Sequence, residues 1–116
     1  MEVYSKYEGS NLVFNLVGEL DEHSADIVRK RIDSTITQNN YNNVVLDLSR
    51  LAFMDSTGIG VIIGRYKLIK QTGKKLFFKN PSITIDKIFK MSGLYQIVTK
   101  IWLWRTIIVW SKIQWN

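Results

Sequence analysis

Apolar and polar positions change period several times along this chain, and each change marks an element. Val3 to Tyr7 and Leu12 to Val17 read as two strands, joined by the turn-forming run Glu8-Gly9-Ser10-Asn11. Gly18-Glu19-Leu20-Asp21 then leaves the sheet. Ala25, Val28, Ile32 and Ile36 fall on one face at helical spacing, which predicts a helix over Ala25 to Thr37 with Asp21 or Ser24 as its cap. After the polar break Gln38 to Asn43, the short apolar run Val44 to Leu48 has the pattern of a central strand covered on both faces.

A second helix follows Asp55-Ser56 and runs through Gln71, with Ile59, Ile62, Ile63, Tyr66 and Ile69 as its apolar side. Gly73 suits a left-handed C-terminal cap. Lys75 to Lys79 predicts a further strand. Asn80-Pro81-Ser82 signals a third helix, with the proline in its first turn, Ile85, Ile88 and Phe89 inward, and Ser92-Gly93 as the stop. Ile97 to Ile101 is the last expected strand. The order β-β-α-β-α-β-α-β implies an α/β domain whose mixed, mostly parallel sheet is packed by helices and joined by right-handed crossovers.

The pattern breaks after residue 101. Trp102, Trp104, Trp110 and Trp115 are the only tryptophans, and residues 102–116 contain no acidic group and no clean period. We therefore divide the chain into a folded domain over 1–101 and an atypical tail. Arg105 and Lys112 interrupt the tail, which is too short to span a membrane. An interfacial anchor needs a better-defined apolar face. Irregular packing on the domain, disorder or an altered reading frame are the other readings of this composition shift.

Composition narrows the chemistry. A chain of 116 residues suits one domain with its own core. Having no cysteine and one histidine, His23, it has no route to disulfides, thiolate catalysis or a cysteine- or histidine-rich metal site. The N-terminus lacks the pattern of a secretory signal, so a cytoplasmic location is expected. The net charge of +6 raises the question of nucleic acid. However, Arg29-Lys30-Arg31 shares its helix with Asp26 and Asp33, and Lys67, Lys70, Lys74 and Lys75 gather at a helix end that favours cations. Solvated helix faces explain these charges without direct nucleic-acid binding.

The distinctive stretch is Phe53-Met54-Asp55-Ser56-Thr57-Gly58-Ile59-Gly60, at a helix start where backbone amides lack partners. Met54 stands where a nucleophile elbow needs glycine, and no base is placed for a triad. No glycine-lysine-serine/threonine follows, so a phosphate-binding P-loop is excluded, and Gly58 and Gly60 do not make a dinucleotide fingerprint. Asp47 and Asp55 flank a strand exit rather than form an acid–base pair. Two readings of Ser56 remain. Capping preference alone favours a structural serine. A phosphoacceptor would meet free amides and the positive helix end, opposed by Asp55.

Four motifs in order bear on that choice: Gly18-Glu19-Leu20-Asp21, the Phe53–Gly60 stretch, Gly64-Arg65-Tyr66-Lys67 and Met91-Ser92-Gly93-Leu94. Together they resemble the anti-sigma factor antagonists of the STAS domain family, most closely the branch acting on the anti-sigma F factor of spore-forming bacteria. The resemblance implies a non-enzymatic partner-switching regulator of transcription. Its unphosphorylated form would bind an anti-sigma factor that is also a serine kinase, releasing sigma factor F. Phosphorylation of Ser56 by that kinase would end the complex, and a serine phosphatase would restore it. Asp21, Asp55, Ser56, Thr57, Gly58 and Gly60 would form the docking surface, with the glycines permitting close approach. ATP or ADP would belong to the kinase, leaving this chain without a cofactor. A general stress-response antagonist and a nucleotide- or lipid-binding STAS module are the rival readings. The family's usual acidic terminal helix has no match in residues 102–116.

Overall fold

A computed structural model describes residues 1–101, with the backbone alone described at the last three. The elements are β1 (Glu2–Glu8), β2 (Asn11–Leu20), α1 (Ala25–Gln38), β3 (Val44–Asp47), β4 (Leu51–Met54), α2 (Ser56–Gln71), β5 (Leu76–Lys79), α3 (Ile83–Ser92), a 3-10 turn (Leu94–Gln96) and β6 (Thr99–Ile101). The main sheet runs β1-β2-β3-β5-β6, with β4 pairing to β2 off that path. β1 and β2 form an antiparallel hairpin, and every other pairing is parallel. This is the α/β class that the alternating pattern implies.

The apolar faces meet in one core. Val28 and Ile32 from α1, Ile62 and Ile69 from α2, and Ile85 and Phe89 from α3 join Phe14, Leu16, Leu46 and Phe78 from the strands. The rings of Phe78 and Phe89 lie 4.5 Å apart, and Tyr95 meets the Phe89 ring edge-on at 5.6 Å. Tyr95 donates a 2.5 Å hydrogen bond to Asp86, so the turn after α3 is tied back to that helix. Burial first, and then this carboxylate, push the Tyr95 phenol above its ordinary range.

Several local expectations are corrected. β2 does not end at Val17: it continues through Leu20, because β4 supplies a second partner for its last residues. The register shifts between Gly18 and Glu19, and Gly18 has φ 116°, which favours glycine. Leu51-Ala52-Phe53-Met54 is too short and too evenly apolar to show a strand's alternation, which hides β4 in the sequence, and only its two end residues are buried. In α2 the buried side is Gly58, Val61, Ile62, Arg65 and Ile69, while Ile59, Ile63 and Tyr66 are partly buried. That helix packs on α1 as well as on the sheet, which turns its face. Pro81 precedes the α3 cap, Ser82, whose hydroxyl accepts from the Ile85 amide at 3.2 Å.

The break after α1 is more ordered than its composition suggests. Tyr41 is buried, Asn42 bonds Ser10 through backbone and side chain, and Lys74 lies over the Tyr41 ring and donates to its carbonyl. Among the described residues, no helix is long and apolar enough to cross a membrane. The tryptophan-rich segment 102–116 lies outside the described residues.

Candidate functional site

Two strands end together and set up the site. Leu20 of β2 and Met54 of β4 are in register, and the Leu20 carbonyl accepts from the Asp55 amide at 3.3 Å. The chain therefore leaves both strands at one edge, through Asp21 on one side and Asp55-Ser56 on the other.

Asp21 organises its own turn rather than standing free. Its Oδ1 accepts from the amides of His23 at 2.9 Å and Ser24 at 3.1 Å. Ser24, the residue before α1, is buried, and its hydroxyl donates to the Glu19 carbonyl at 2.8 Å and caps no helix amide. Desolvation works to raise the Asp21 carboxyl, but the Ser24 and His23 amides outweigh it and hold the group below its ordinary value. The turn thus presents a fixed carboxylate at neutral pH.

The cap of α2 is Asp55, not Ser56. The Asp55 carboxylate accepts from the Gly58 amide at 2.9 Å, which places Ser56 as the first helical residue. With the capping role taken, the Ser56 hydroxyl is exposed and makes no hydrogen bond among the described residues. Thr57 is exposed too, but it lines a groove of about 350 Å³ between α1 and α2. Glu22, Asp26, Arg29, Gly60, Gly64 and Arg65 also line that groove. Replacing Asp55 by alanine should cost ~1 kcal/mol of stability, read as a lower urea midpoint, whereas asparagine should retain most of the cap.

The two motif glycines differ in role. A Cβ on Gly58 would lie 2.4 Å from the Leu20 carbonyl oxygen and 2.6 Å from Met54 Cγ. The close approach at Gly58 is therefore to its own β2–β4 junction. Gly60 is exposed with open space at its Cβ position, and so is the same position at Gly64 one turn on.

Ion pairs hold the flanking helices. Arg65 Nε sits 2.7 Å from Asp33 Oδ1 across the α1–α2 contact, although the two atoms are not aligned as a hydrogen bond. Burial weighs against the Arg65 charge more than Asp33 supports it. Arg29 pairs with Asp26 at 2.8 Å. These contacts occupy two of the cations that give the sequence its basic character. Among the described residues, no group of three or more acidic or histidine side chains is placed to hold a metal ion.

The sequence singled out Asp21, Asp55, Ser56, Thr57, Gly58 and Gly60. The fold brings Asp21 and the Asp55–Gly58 turn to one sheet edge, and Gly60 to the adjoining groove. It adds Phe53, which is 44% exposed on β4 just ahead of the turn. Phe53 shows no periodicity that would separate it from a core residue. The pairing of Arg65 with Asp33 is also added by the fold, because it depends on how α1 and α2 cross.

Comparison with known proteins then gives the family. The STAS domain model matches residues 3–107. An anti-sigma F factor antagonist of Paenibacillus polymyxa is 38% identical over 98 residues, covering 84% of each chain. The unphosphorylated form of the anti-sigma factor antagonist SpoIIAA superimposes with a TM-score of 0.77 at 27% identity, over 99% of this chain and 98% of that one. The Bacillus cell fate determinant SpoIIAA in its phosphorylated form gives 0.68 at 29% identity, over 91% and 96% of the two chains.

Proposed function

The chain belongs to the STAS domain family, and from that premise we propose that it is an anti-sigma factor antagonist switched by phosphorylation of Ser56. In this reading the unphosphorylated protein binds an anti-sigma factor that is also a serine kinase, and so frees sigma factor F. Phosphate on Ser56 ends the complex, and a serine phosphatase reverses it. The chain itself performs no catalysis and acts in the cytoplasm.

The observation that carries the reading is the division of labour at the α2 start. Asp55 caps the helix, which leaves the Ser56 hydroxyl exposed and unbonded beside first-turn amides. A kinase can reach such a hydroxyl without unfolding the helix. A phosphate would add nearly two negative charges next to the fixed carboxylates of Asp21 and Asp55. A partner surface suited to the neutral serine would then meet a strongly anionic one. Thr57, Gly58 and Gly60 complete the docking surface, with Gly58 acting through the backbone it positions and Gly60 through its open face.

Incubation with the anti-sigma kinase and ATP, followed by mass spectrometric mapping, tests the site. Phosphate is expected on Ser56 and absent from the Ser56→Ala protein; phosphate confined to Thr57 or elsewhere overturns the assignment. Ser56→Asp should weaken binding to the anti-sigma factor at least about tenfold by calorimetry, the scale of one desolvated charge mismatch. Unchanged affinity would count against the electrostatic account.

A further inference from the structure

β1 lies at one end of the sheet, and among the described residues its outer backbone edge is paired with nothing. All of its residues, Glu2 to Glu8, keep a regular register with β2, with no bulge and no proline to blunt the edge. Half of its amides and carbonyls therefore point outward in a straight row. Its side chains divide by parity. Val3 is buried and Tyr7 bonds the Asn40 carbonyl after α1, so the odd positions face the helices. Glu2, Tyr4, Lys6 and Glu8 stand on the opposite face, with Tyr4 52% exposed.

We propose that this edge pairs antiparallel with β1 of a second copy of the chain, with Tyr4 on the two-fold axis. A two-fold axis that joins two equal edges antiparallel is perpendicular to the sheet, so opposed residues share a face and have the same parity. That leaves few registers with substantial overlap. Centring the axis on Ser5 sets Glu2 against Glu8 twice. Centring it on Lys6 sets Lys6 against itself. Centring it on Tyr4 sets Glu2 of each copy against Lys6 of the other and stacks the two Tyr4 rings side by side. Opposite charges and aromatic pairs directly across a ladder stabilise it, and like charges oppose it.

The pairing has a local competitor. Lys6 already meets Glu8 within its own strand at 3.0 Å, and the Tyr4 hydroxyl donates to Glu2. Lys6, Tyr4 and Glu2 are exposed and Glu8 is half-buried, so Lys6 can keep Glu8 while it gains Glu2 of the second copy. The result is one continuous sheet with the two β1 strands at its centre. The Ser56 edge, built from the far ends of β2 and β4, takes no part in it.

Sedimentation equilibrium on the full chain tests the association, and a concentration-dependent dimer is expected. Lys6→Glu should weaken it about tenfold by making both charge pairs repulsive, and the double exchange Glu2→Lys with Lys6→Glu should restore it. The absence of cysteine from the chain allows a direct reading of the register. Tyr4→Cys should oxidise to a disulfide-linked dimer, because that residue opposes itself across the axis, while Ser5→Cys should crosslink poorly. A monomer at every concentration, or a dimer indifferent to Lys6→Glu, overturns the proposal. Faster crosslinking through position 5 overturns the register.

Discussion

Gly58→Ala should destabilise the protein by about 2–3 kcal/mol, although alanine is the better helix former. The helix term favours the substitution by ~1 kcal/mol. Against it stands a methyl group 2.4 Å from the Leu20 carbonyl oxygen, which is backbone and cannot swing away. Overpacking ordinarily costs roughly 1–3 kcal/mol, and at this contact, where the main chain must move, about 3–4 kcal/mol is expected. The net effect corresponds to a fall in Tm of about 10 °C for a domain of this size. Since the displaced groups are Leu20, Met54 and the helix start, docking by the Ser56 turn should weaken along with stability. Gly60→Ala is the control. Its Cβ meets open space, so up to about 1 kcal/mol of stabilisation is expected. Thermal melts of the two variants should move in opposite directions; a stabilised Gly58→Ala would overturn the packing account.

The largest loss of stability is expected from Phe89→Ala. The ring is fully buried between Phe78 and Tyr95 and joins α3 to β5. Truncating a buried phenylalanine costs about 3–5 kcal/mol, from lost burial and the cavity left behind. A fall in Tm of roughly 15 °C follows. Urea unfolding should give a lower midpoint with an unchanged slope if the rest of the fold persists. Ser56 phosphorylation at a temperature well below the melt should be little affected, because the Phe89 ring packs on Phe78 and Tyr95.

Periodicity made most of the fold legible. The buried stripe Ala25, Val28, Ile32 and Ile36 of α1 is the one the sequence predicts. α2 departs from the same reasoning, because the close approach at Gly58 and the Arg65–Asp33 pair put Gly58, Val61 and Arg65 on the buried side and leave Ile59, Ile63 and Tyr66 partly buried. β4 was invisible because it is short and half exposed. At the site, residue identity was readable and role was not. Serine and aspartate are both good caps, so adjacent Asp55 and Ser56 cannot be ranked without the backbone geometry that sends the Asp55 carboxylate to Gly58. The Arg65–Asp33 pair rests on a long-range crossing that no local pattern encodes.

The register shift in β2 also governs which changes in length the chain can absorb. The first part of this strand pairs with β3 through Asn15 and the last part with β4 from Gly18, where Ala52 is the extra residue opposite the Gly18–Glu19 step. Extra residues at the exposed Asn39–Asn40 loop, ahead of the buried Tyr41, lengthen a connection and leave both registers intact. A single deletion between Leu16 and Glu19 would instead slide one part of β2 against the other. Leu20 would rotate out of the core, and its carbonyl would no longer meet the Asp55 amide. Insertions and deletions among descendants of this chain should therefore collect in the loop and spare the step.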